Sequence, residues 1–179
     1  MTAYETDAIF GFSYITLPET SRVIFFPAQP VNTSSAATLP GGFGEEGRYE
    51  IMGEVGRGGM GIVFKAKDKR LGRIVALKRL PDNLRNHPKA VELFLREARA
   101  AAALNHPNIA AIYGLEDADG KPFLVLELVD GEDLSERLTR GAIPVEESLE
   151  IARQIAEALE EAHEHGIVHR DLKPANVKL

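Results

Sequence analysis

A glycine cluster between two strand-like runs constrains the fold of this chain more than any other feature of its sequence. The cluster, Gly56–Gly61, fits the spacing G-x-G-x-x-G and is preceded and followed by apolar runs typical of strands. A dinucleotide-binding fold needs a helix after these glycines, and a Walker A loop needs Gly-Lys-Ser/Thr. Neither follows, so we predict an antiparallel hairpin. It is either a plain flexible turn or a flat cover over a polyphosphate, whose oxygens backbone N–H groups can reach.

The rest of the sequence combines strand-like runs with helical patterns, which predicts an α+β fold. We expect strands over Tyr49–Val55, Ile62–Ala66, Arg73–Leu80, Ile109–Leu115 and Pro122–Leu128. We expect helices over Lys89–Leu104, Asp133–Thr139 and Val145–His165. The longest helix repeats apolar residues at three-to-four spacing. Its apolar stripe comprises Leu149, Ala152, Ile155, Ala156, Leu159 and Ala162.

Composition excludes several classes of protein. The 179 residues include no cysteine, which rules out a disulfide scaffold, a thiolate zinc site and a cysteine nucleophile. The net charge of -6 is opposite in sign to that of most phosphate-backbone binders, so we expect no nucleic-acid partner. No apolar run approaches the roughly 18 residues of a membrane-spanning helix, and the acidic start does not resemble a secretory signal. We therefore expect a cytoplasmic location.

Residues 1–47 are expected to form a flexible N-terminal extension and linker. Residues 31–47 are rich in Ser, Thr, Gly and Pro, a composition typical of linkers. Two apolar stretches, Ile9–Leu17 and Val23–Phe26, flank a turn-like tetrapeptide and predict a short hairpin. Because an isolated hairpin is only marginally stable in water, the extension is either a poorly ordered tail or an element that docks on another part of the protein.

Two charged features follow the glycine cluster. Lys78 ends the run Val75-Ala76-Leu77, and a lysine among apolar neighbours needs an anion beside it. Glu97 on the next helix is a candidate partner, although its spacing alone favours an exposed helix carboxylate. Near the end of the sequence, the segment His169-Arg170-Asp171-Leu172-Lys173-Pro174-Ala175-Asn176 follows a predicted helix and is placed on a loop. There, Asp171 can accept a hydroxyl proton, Lys173 can offset phosphate charge, and Asn176 can ligate a metal ion.

Two further clusters suggest other functions. The residues His163, His165 and His169 are consistent with metal ligands, but they straddle a helix end and none is paired with a cysteine. The second cluster is basic and comprises Lys65, Lys67, Lys69, Arg70 and Arg73. Because these cations alternate along a strand in a chain of negative net charge, a solvated face is favoured over a nucleic-acid surface.

Taken together, the motifs resemble those of the protein kinase superfamily, in its bacterial serine/threonine branch. Four occur in family order: G-x-G-x-x-G-x-V at Gly56–Val63, V-A-x-K at Val75–Lys78, a helix glutamate at Glu97, and H-R-D-L-K-P-x-N at His169–Asn176. The resemblance covers about residues 48–179 and implies a protein kinase-like fold. It would place an N-lobe, an antiparallel sheet plus one helix, over about 48–130, and the start of a helical C-lobe over about 131–179.

The resemblance also implies roles in binding ATP. Gly56, Gly58 and Gly61 would cover its phosphates, and Lys78 would bind the α- and β-phosphates and pair with Glu97. The adenosine side would comprise Val55, Val63, Ala76, Ala110, the gatekeeper Leu126, the backbones of Glu127 and Val129, and Asp133 near the ribose.

At the loop, the resemblance would make Asp171 the catalytic base, Lys173 the γ-phosphate contact and Asn176 a Mg²⁺ ligand. The implied partners are protein Ser/Thr substrates and the protein itself through autophosphorylation. Lys178 departs from the family, which often has an apolar residue there under the adenine; its methylene stem could still pack in that place.

A larger departure is that no D-F-G occurs after Asn176 in the 179 residues. We therefore expect a partial kinase domain that lacks its C-terminal part and whose isolated chain has little or no turnover. The parent protein could be membrane-anchored through a missing segment. The alternative function is a non-catalytic nucleotide-binding or scaffold module.

Overall fold

The computed structural model describes residues 13–14 and 24–25, as backbone only, and residues 47–58, 61–80, 86–118, 120–169 and 171–179. These residues form a five-stranded antiparallel sheet, a two-stranded ladder and three α-helices, which confirms the predicted α+β class. β1 (Ser13–Tyr14) pairs antiparallel with β2 (Ile24–Phe25), as the predicted hairpin requires. The predicted linker over residues 31–47 lies outside the described residues except for Gly47.

The five-stranded sheet contains β3 (Tyr49–Gly58), β4 (Gly61–Asp68), β5 (Arg73–Arg79), β6 (Ile112–Ala118) and β7 (Lys121–Glu127). Its strand order is β3-β4-β5-β7-β6. Asp68 closes the β4–β5 turn, because its Oδ1 accepts hydrogen bonds from the backbone N–H groups of Arg70 and Leu71 at 3.0 and 3.2 Å. Gly72 then takes φ +70°, a left-handed conformation that costs glycine little.

One face of the sheet forms a hydrophobic core, and a polar cluster joins the two edges of the sheet. The core comprises Tyr49, Ile62, Phe64, Ala66, Val75, Leu77, Phe123 and Val125. The Tyr49 and Phe123 rings meet edge to face with centroids 5.9 Å apart. Although β3 and β6 lie at opposite ends of the strand order, the Tyr49 hydroxyl and the Arg48 guanidinium both donate to Glu116 Oε1 at 2.6 Å. The sheet is therefore curled until its edge strands meet.

The first helix, α1 (Pro88–Ala101), is three residues shorter at its end than predicted. Its hydrogen-bond pattern tightens beyond the last turn, since Ala103 N–H donates to Ala100 and Leu104 N–H donates to Ala101, at 3.2 and 3.1 Å. Pro107 follows shortly and cannot continue a helix, because it has no N–H to donate.

Two helices follow the sheet, α2 (Leu134–Thr139) and α3 (Val145–Glu164). Asp133, the N-cap residue of α2, forms a capping box with Glu136. Gly166 ends α3 as predicted: it takes φ +72°, and the next residue, Ile167, donates its N–H to the Ala162 carbonyl at 2.8 Å. This is the hydrogen-bond pattern of a Schellman motif. A 3-10 helix, Pro174–Asn176, lies in the loop beyond α3.

The apolar stripe of α3 is buried only in part. The buried residues are Ile151, Gln154, Ala158 and Ala162, whereas Leu149, Ala152 and Ala156 are exposed. The helix carries apolar residues on two adjacent faces, and the chain buries the face that includes a polar residue. Gln154 is accommodated there because Asn108 Nδ2 donates to its Oε1 at 3.1 Å and its own amide donates to Glu150.

The chain divides into two compact units. The first comprises Pro27–Arg96 and Ile112–Leu128, and the second comprises Met1–Phe26, Glu97–Ala111 and Val129–Leu179. The first unit holds the five-stranded sheet and the second holds α2, α3 and the loop after α3. The lobe boundaries expected near residue 130 stay a prediction. None of the helices formed by the described residues is long and apolar enough to span a bilayer.

Candidate functional site

The predicted glycine hairpin joins β3 to β4. Gly56 and Gly58 lie at the end of β3, and Gly58 pairs with Gly61 at the start of β4. The tip, Gly59–Met60, lies outside the described residues. Gly61 has φ +128°, and a Cβ added to it would lie 2.2 Å from the carbonyl oxygen of Arg79. The fold itself therefore requires glycine at this position.

Four residues predicted to lie at the ATP site share the face of the sheet opposite to the hydrophobic core. Ala76 and Lys78 are two residues apart on β5, and Val63 is the direct partner of Lys78 on β4. Leu126, on β7, pairs with Ala76. Side chains that are two apart on a strand, or directly opposite across strands, lie on the same face. All four are buried, and the Lys78 residue is only 2% exposed, so this face places a cation among apolar side chains.

The remaining predicted adenine-side residues are divided between the two units. Val55 sits at an irregularity of the β3–β4 ladder and is 41% exposed. Glu127 ends β7, where it pairs with Val75. Val129 and Ala110 are both buried but belong to the second unit. The assembly of these residues into one pocket therefore stays a prediction.

The two residues of the predicted ion pair belong to different units: Lys78 lies in the first unit and Glu97 in the second. Glu97 is partly buried on α1, an environment unlike that of a plain surface carboxylate. Its ion pair with Lys78 stays a prediction.

The loop after α3 holds the backbone of Asp171 in a defined position. The N–H group of Asp171 donates to the Nδ1 atom of His169 at 3.0 Å and to its carbonyl oxygen at 2.8 Å. Burial, assisted by the positive charge of Lys173, lowers the pKa of the His169 imidazole to about 2. The ring is therefore neutral near pH 7, with Nδ1 as the acceptor and the proton on Nε2. This arrangement suits a structural residue of the loop.

Three predicted site residues converge in this loop. Lys173 Nζ lies 2.8 Å from Asp171 Oδ2. The side-chain amide of Asn176 donates to the Asp171 carbonyl oxygen at 2.6 Å, and the 3-10 helix turns Asn176 back toward Asp171. The Asp171 and Lys173 side chains remain 30% and 41% exposed, so a solute can reach both.

The amide oxygen of Asn176 is the feature of the loop that fits a metal ion. Asn176 is 1% exposed, and its buried Oδ1 has no hydrogen-bond partner among the described residues. A buried oxygen without a partner is costly unless a ligand satisfies it. Mg²⁺ takes oxygen ligands and is usually bound through one or two protein groups plus substrate phosphates. The donor therefore suits the predicted Mg²⁺ role.

Asp133, predicted to lie near the ribose, is fixed at the start of α2. Its Oδ1 accepts hydrogen bonds from the Glu136 N–H group, at 2.9 Å, and from the Ser135 hydroxyl. In return, Glu136 Oε2 accepts from the Asp133 N–H group at 2.9 Å. The residue is buried and its carboxylate orientation is set by these bonds.

Sequence reasoning missed one contact near Asp133. The Lys178 ammonium donates to the carbonyl oxygen of Gly131 at 3.0 Å, across 47 residues of sequence. The available signal was the dipeptide Asp130-Gly131, since Asp-Gly marks a turn, and Gly131 indeed takes φ +113°. No sequence pattern indicates which side chain binds that turn.

The two alternative clusters find no support in the described part of the chain. No group of three or more His, Asp or Glu side chains there is arranged to hold a metal ion, so the histidine-site interpretation has no geometric basis. Along β4 and the turn after it, Lys67 and Lys69 are exposed while the intervening Asp68 is buried. That alternation is typical of a solvated face.

Comparison with known proteins gives concordant results. The protein kinase domain family matches residues 49–179. The probable serine/threonine-protein kinase PknB of Lactococcus lactis is 44% identical over 132 residues, which are 73% of this chain and 21% of that protein. The crystal structure of the Mycobacterium tuberculosis PknI kinase domain superposes with a TM-score of 0.67 at 31% identity, covering 79% of this chain and 57% of that one.

A second solved structure, of Rad53 1-466 in complex with AMP-PNP, superposes with a TM-score of 0.64 at 31% identity over 74% of this chain and 34% of that one. The chain spans about a fifth to a third of the length of the curated relatives that it matches. The sheet and helices agree with the kinase fold that the motifs implied.

Proposed function

The chain belongs to the protein kinase domain family, and from that membership we propose that it carries the ATP-binding and catalytic-loop region of an ATP:protein serine/threonine phosphotransferase. The observation that carries this proposal is the convergence of Lys173 and Asn176 on Asp171 within one loop. Its curated relatives are named serine/threonine-protein kinases, which supports the same reaction. Because the chain spans a fraction of their length, the activity and substrates of the whole protein are part of the proposal.

ATP binds against the sheet face that carries Val63, Ala76 and Lys78, with the glycine hairpin over its phosphates. Apolar side chains suit the adenine ring, and the buried ammonium of Lys78 suits the α- and β-phosphate oxygens. Glu97 pairs with Lys78 in this arrangement. The presence of AMP-PNP in the Rad53 structure supports a nucleotide site in this fold. The other nucleotide contacts are Val55, Gly56, Gly58, Gly61, the backbones of Glu127 and Val129, and Asp133 at the ribose.

Asp171 receives the proton of the substrate hydroxyl. The serine or threonine oxygen bonds to the γ-phosphorus, the bond from that phosphorus to the β–γ bridging oxygen breaks, and ADP leaves. The Asp171 carboxylate takes the proton, while its Oδ2 accepts a hydrogen bond from the Lys173 ammonium at 2.8 Å. Lys173 in turn places positive charge where the transferred phosphoryl group accumulates negative charge.

Mg²⁺, which the family uses with ATP, neutralises phosphate charge when it is bound. In this chain the Oδ1 atom of Asn176 would hold it, since that oxygen is buried and has no partner among the described residues. The amide nitrogen of Asn176 is fastened to the Asp171 carbonyl. The same bond therefore orients both the metal ligand and the base.

The substrates are protein serine and threonine hydroxyls, and the protein phosphorylates itself. The domain acts in the cytoplasm, where ATP is available.

The test compares nucleotide binding with phosphoryl transfer. Asp171→Asn in the full-length protein should leave the affinity for a fluorescent ATP analogue within about twofold and reduce transfer of labelled γ-phosphate by at least about 100-fold, because only the base is removed. Lys78→Met should weaken nucleotide binding by about tenfold, while Lys121→Met, an exposed lysine at the β6–β7 turn, should not.

Two outcomes would contradict the proposal. If the protein bound no ATP, or if Lys78→Met left the affinity unchanged, the nucleotide site would be wrong. If it bound ATP but transferred no phosphate to any Ser/Thr acceptor, the non-catalytic nucleotide-binding or scaffold module would be the better description.

A further inference from the structure

A short backbone bridge ties the segment before α2 to the end of the described chain. Leu134 N–H donates to the Val177 carbonyl at 2.7 Å, and Leu179 N–H donates to the Glu132 carbonyl at 2.9 Å. Between these two bonds, Asp133 and Lys178 face each other in an antiparallel bridge. In such a pair, flanked by hydrogen bonds but not sharing one, the two side chains lie close together on the same face.

Lys178 nevertheless does not neutralise the aspartate beside it. Its ammonium donates instead to the Gly131 carbonyl at 3.0 Å, and the two side chains form no ion pair with each other. The carbonyl that it binds belongs to a closely packed turn. Gly131 takes φ +113°, and a Cβ added there would lie 2.2 Å from the Leu179 carbonyl oxygen.

Only one of the two oxygens of the Asp133 carboxylate accepts hydrogen bonds from the described residues. Its Oδ1 accepts from the Glu136 N–H group and the Ser135 hydroxyl, whereas its Oδ2 accepts no hydrogen bond from any described residue. Asp133 is only 6% exposed, so its orientation is fixed by the cap. One oxygen remains available to a ligand hydroxyl, and a neighbouring cation is held away from it by the Gly131 carbonyl.

We propose that Lys178 is a positioning residue for the ribose of the bound nucleotide: by fastening the Gly131 carbonyl, it holds Asp133 with Oδ2 available to the ribose hydroxyls. The inference rests on the proposed nucleotide site, in which Asp133 contacts the ribose. A ribose hydroxyl donating to a carboxylate is a charge-assisted hydrogen bond, whose strength depends on geometry. A freed lysine would let the Gly131–Asp133 turn shift, or would pair with Asp133 and compete with the sugar.

The experiment measures discrimination between ATP and 2′,3′-dideoxy-ATP by competition against a fluorescent ATP analogue. The unsubstituted protein should bind ATP about tenfold more tightly than the dideoxy nucleotide. Lys178→Met, which keeps the aliphatic stem, should reduce that ratio to about twofold by weakening ATP while leaving dideoxy-ATP unchanged. Lys178→Arg, which keeps a cationic donor, should retain the ratio, and Lys121→Met serves as the matched surface control.

A double-mutant cycle separates positioning from a loss of folding. In an Asp133→Ala background, adding Lys178→Met should change neither nucleotide's affinity, because the residue through which Lys178 acts is gone. If Lys178→Met is too unstable to assay, Lys178→Gln supplies a neutral donor of nearly the same length and should lie between methionine and lysine.

The outcomes distinguish this inference from the proposed function. If the unsubstituted protein bound no ATP, both would be overturned. If it bound ATP but the ratio to dideoxy-ATP were the same in Lys178→Met and Lys178→Gln as in the unsubstituted protein, the role of Lys178 alone would be overturned. Equal weakening of both nucleotides by these variants would also overturn it, since a general structural role predicts that result.

Discussion

The carbonyl oxygen of Arg79 leaves room for a hydrogen atom at Gly61 and for nothing larger. The family pattern explains the glycine by the phosphates that it would cover, but the contact with β5 is a separate reason that applies without any ligand. A side chain at this position meets a backbone atom at 2.2 Å and also has to adopt φ +128°. Backbone cannot yield as a flexible side chain does, so the hairpin would have to move.

Gly61→Ala should therefore lower the free energy of unfolding by about 2 kcal/mol or more. Gly72→Ala is the matched control, because Gly72 also has a positive φ but its added Cβ would meet nothing within 4 Å. That control should cost only about 1 kcal/mol, the penalty of a left-handed alanine. Urea unfolding of both variants measures the difference. Equal losses would show that conformation, and not the approach of β5, accounts for the effect.

How far the sequence predicts the site depends on how local each contact is. Asp171, Lys173 and Asn176 are within five residues of one another, so a short loop brings them together and the motif alone was sufficient. The contact between Lys178 and Gly131 spans 47 residues and joins two segments that no pattern relates. It could not be predicted, because pairing at that distance depends on the fold of α2 and α3.

The strands and helices were predicted to within a few residues. The signals for them are local, since apolar periodicity marks an element and glycine or proline marks its ends. The apolar spacing of α3 does not identify the face that the helix buries. The apolar stripe runs through Leu149 and Ala156, but the helix buries the face that includes Gln154, whose polar amide is satisfied by Asn108 and Glu150. A pattern of hydrophobicity cannot detect a buried polar residue that has partners elsewhere in the chain.

One arginine contributes to the closure of the five-stranded sheet. Arg48 binds Asp68 through two nitrogens, at 3.1 and 2.7 Å, and reaches Glu116 on the opposite edge strand at 2.6 Å. The Asp68 side chain is 0% exposed, and the arginine guanidinium holds the pKa of that carboxyl below its usual value. Without Arg48, the buried Asp68 carboxylate keeps only its backbone N–H donors. Of the two hydrogen bonds that join the edge strands at Glu116, only that of Tyr49 remains.

Arg48→Met should accordingly destabilise the chain by about 3 kcal/mol, the range found when one partner of a buried ion pair is removed. Arg57→Met, which breaks the exposed pair with Glu54 on the same sheet, should cost less than about 1 kcal/mol. Thermal or urea unfolding provides the comparison. If the two variants lost similar stability, the network at Arg48 would be a surface feature and would not close the sheet.

At the scale of the whole molecule, the dependence of stability on pH follows from the groups whose pKa the fold displaces. The Asp68 pKa is lowered, so its contribution is lost only well into the acid range, as the pH falls below about 4. Burial raises the pKa of the Tyr49 hydroxyl, so its contribution is lost only above about pH 10. Among the described residues with a displaced pKa, His169 is the one whose protonation differs between the folded and the unfolded chain from pH 5 to 7.

The stability of the chain should fall by about 2 kcal/mol between pH 7 and pH 5 because of His169. The unfolded chain binds a proton on this residue below its ordinary pKa of 6.5, whereas the folded chain does not until about pH 2, so acid favours the unfolded state. His169→Asn, whose amide oxygen can still accept the Asp171 N–H, should make the urea midpoint nearly constant over this range, although it starts lower at pH 7. His163→Gln, at an exposed position of α3, should keep the full decline. A decline of the same size in His169→Asn would mean that another group carries the acid sensitivity, and that the loop does not hold its histidine neutral.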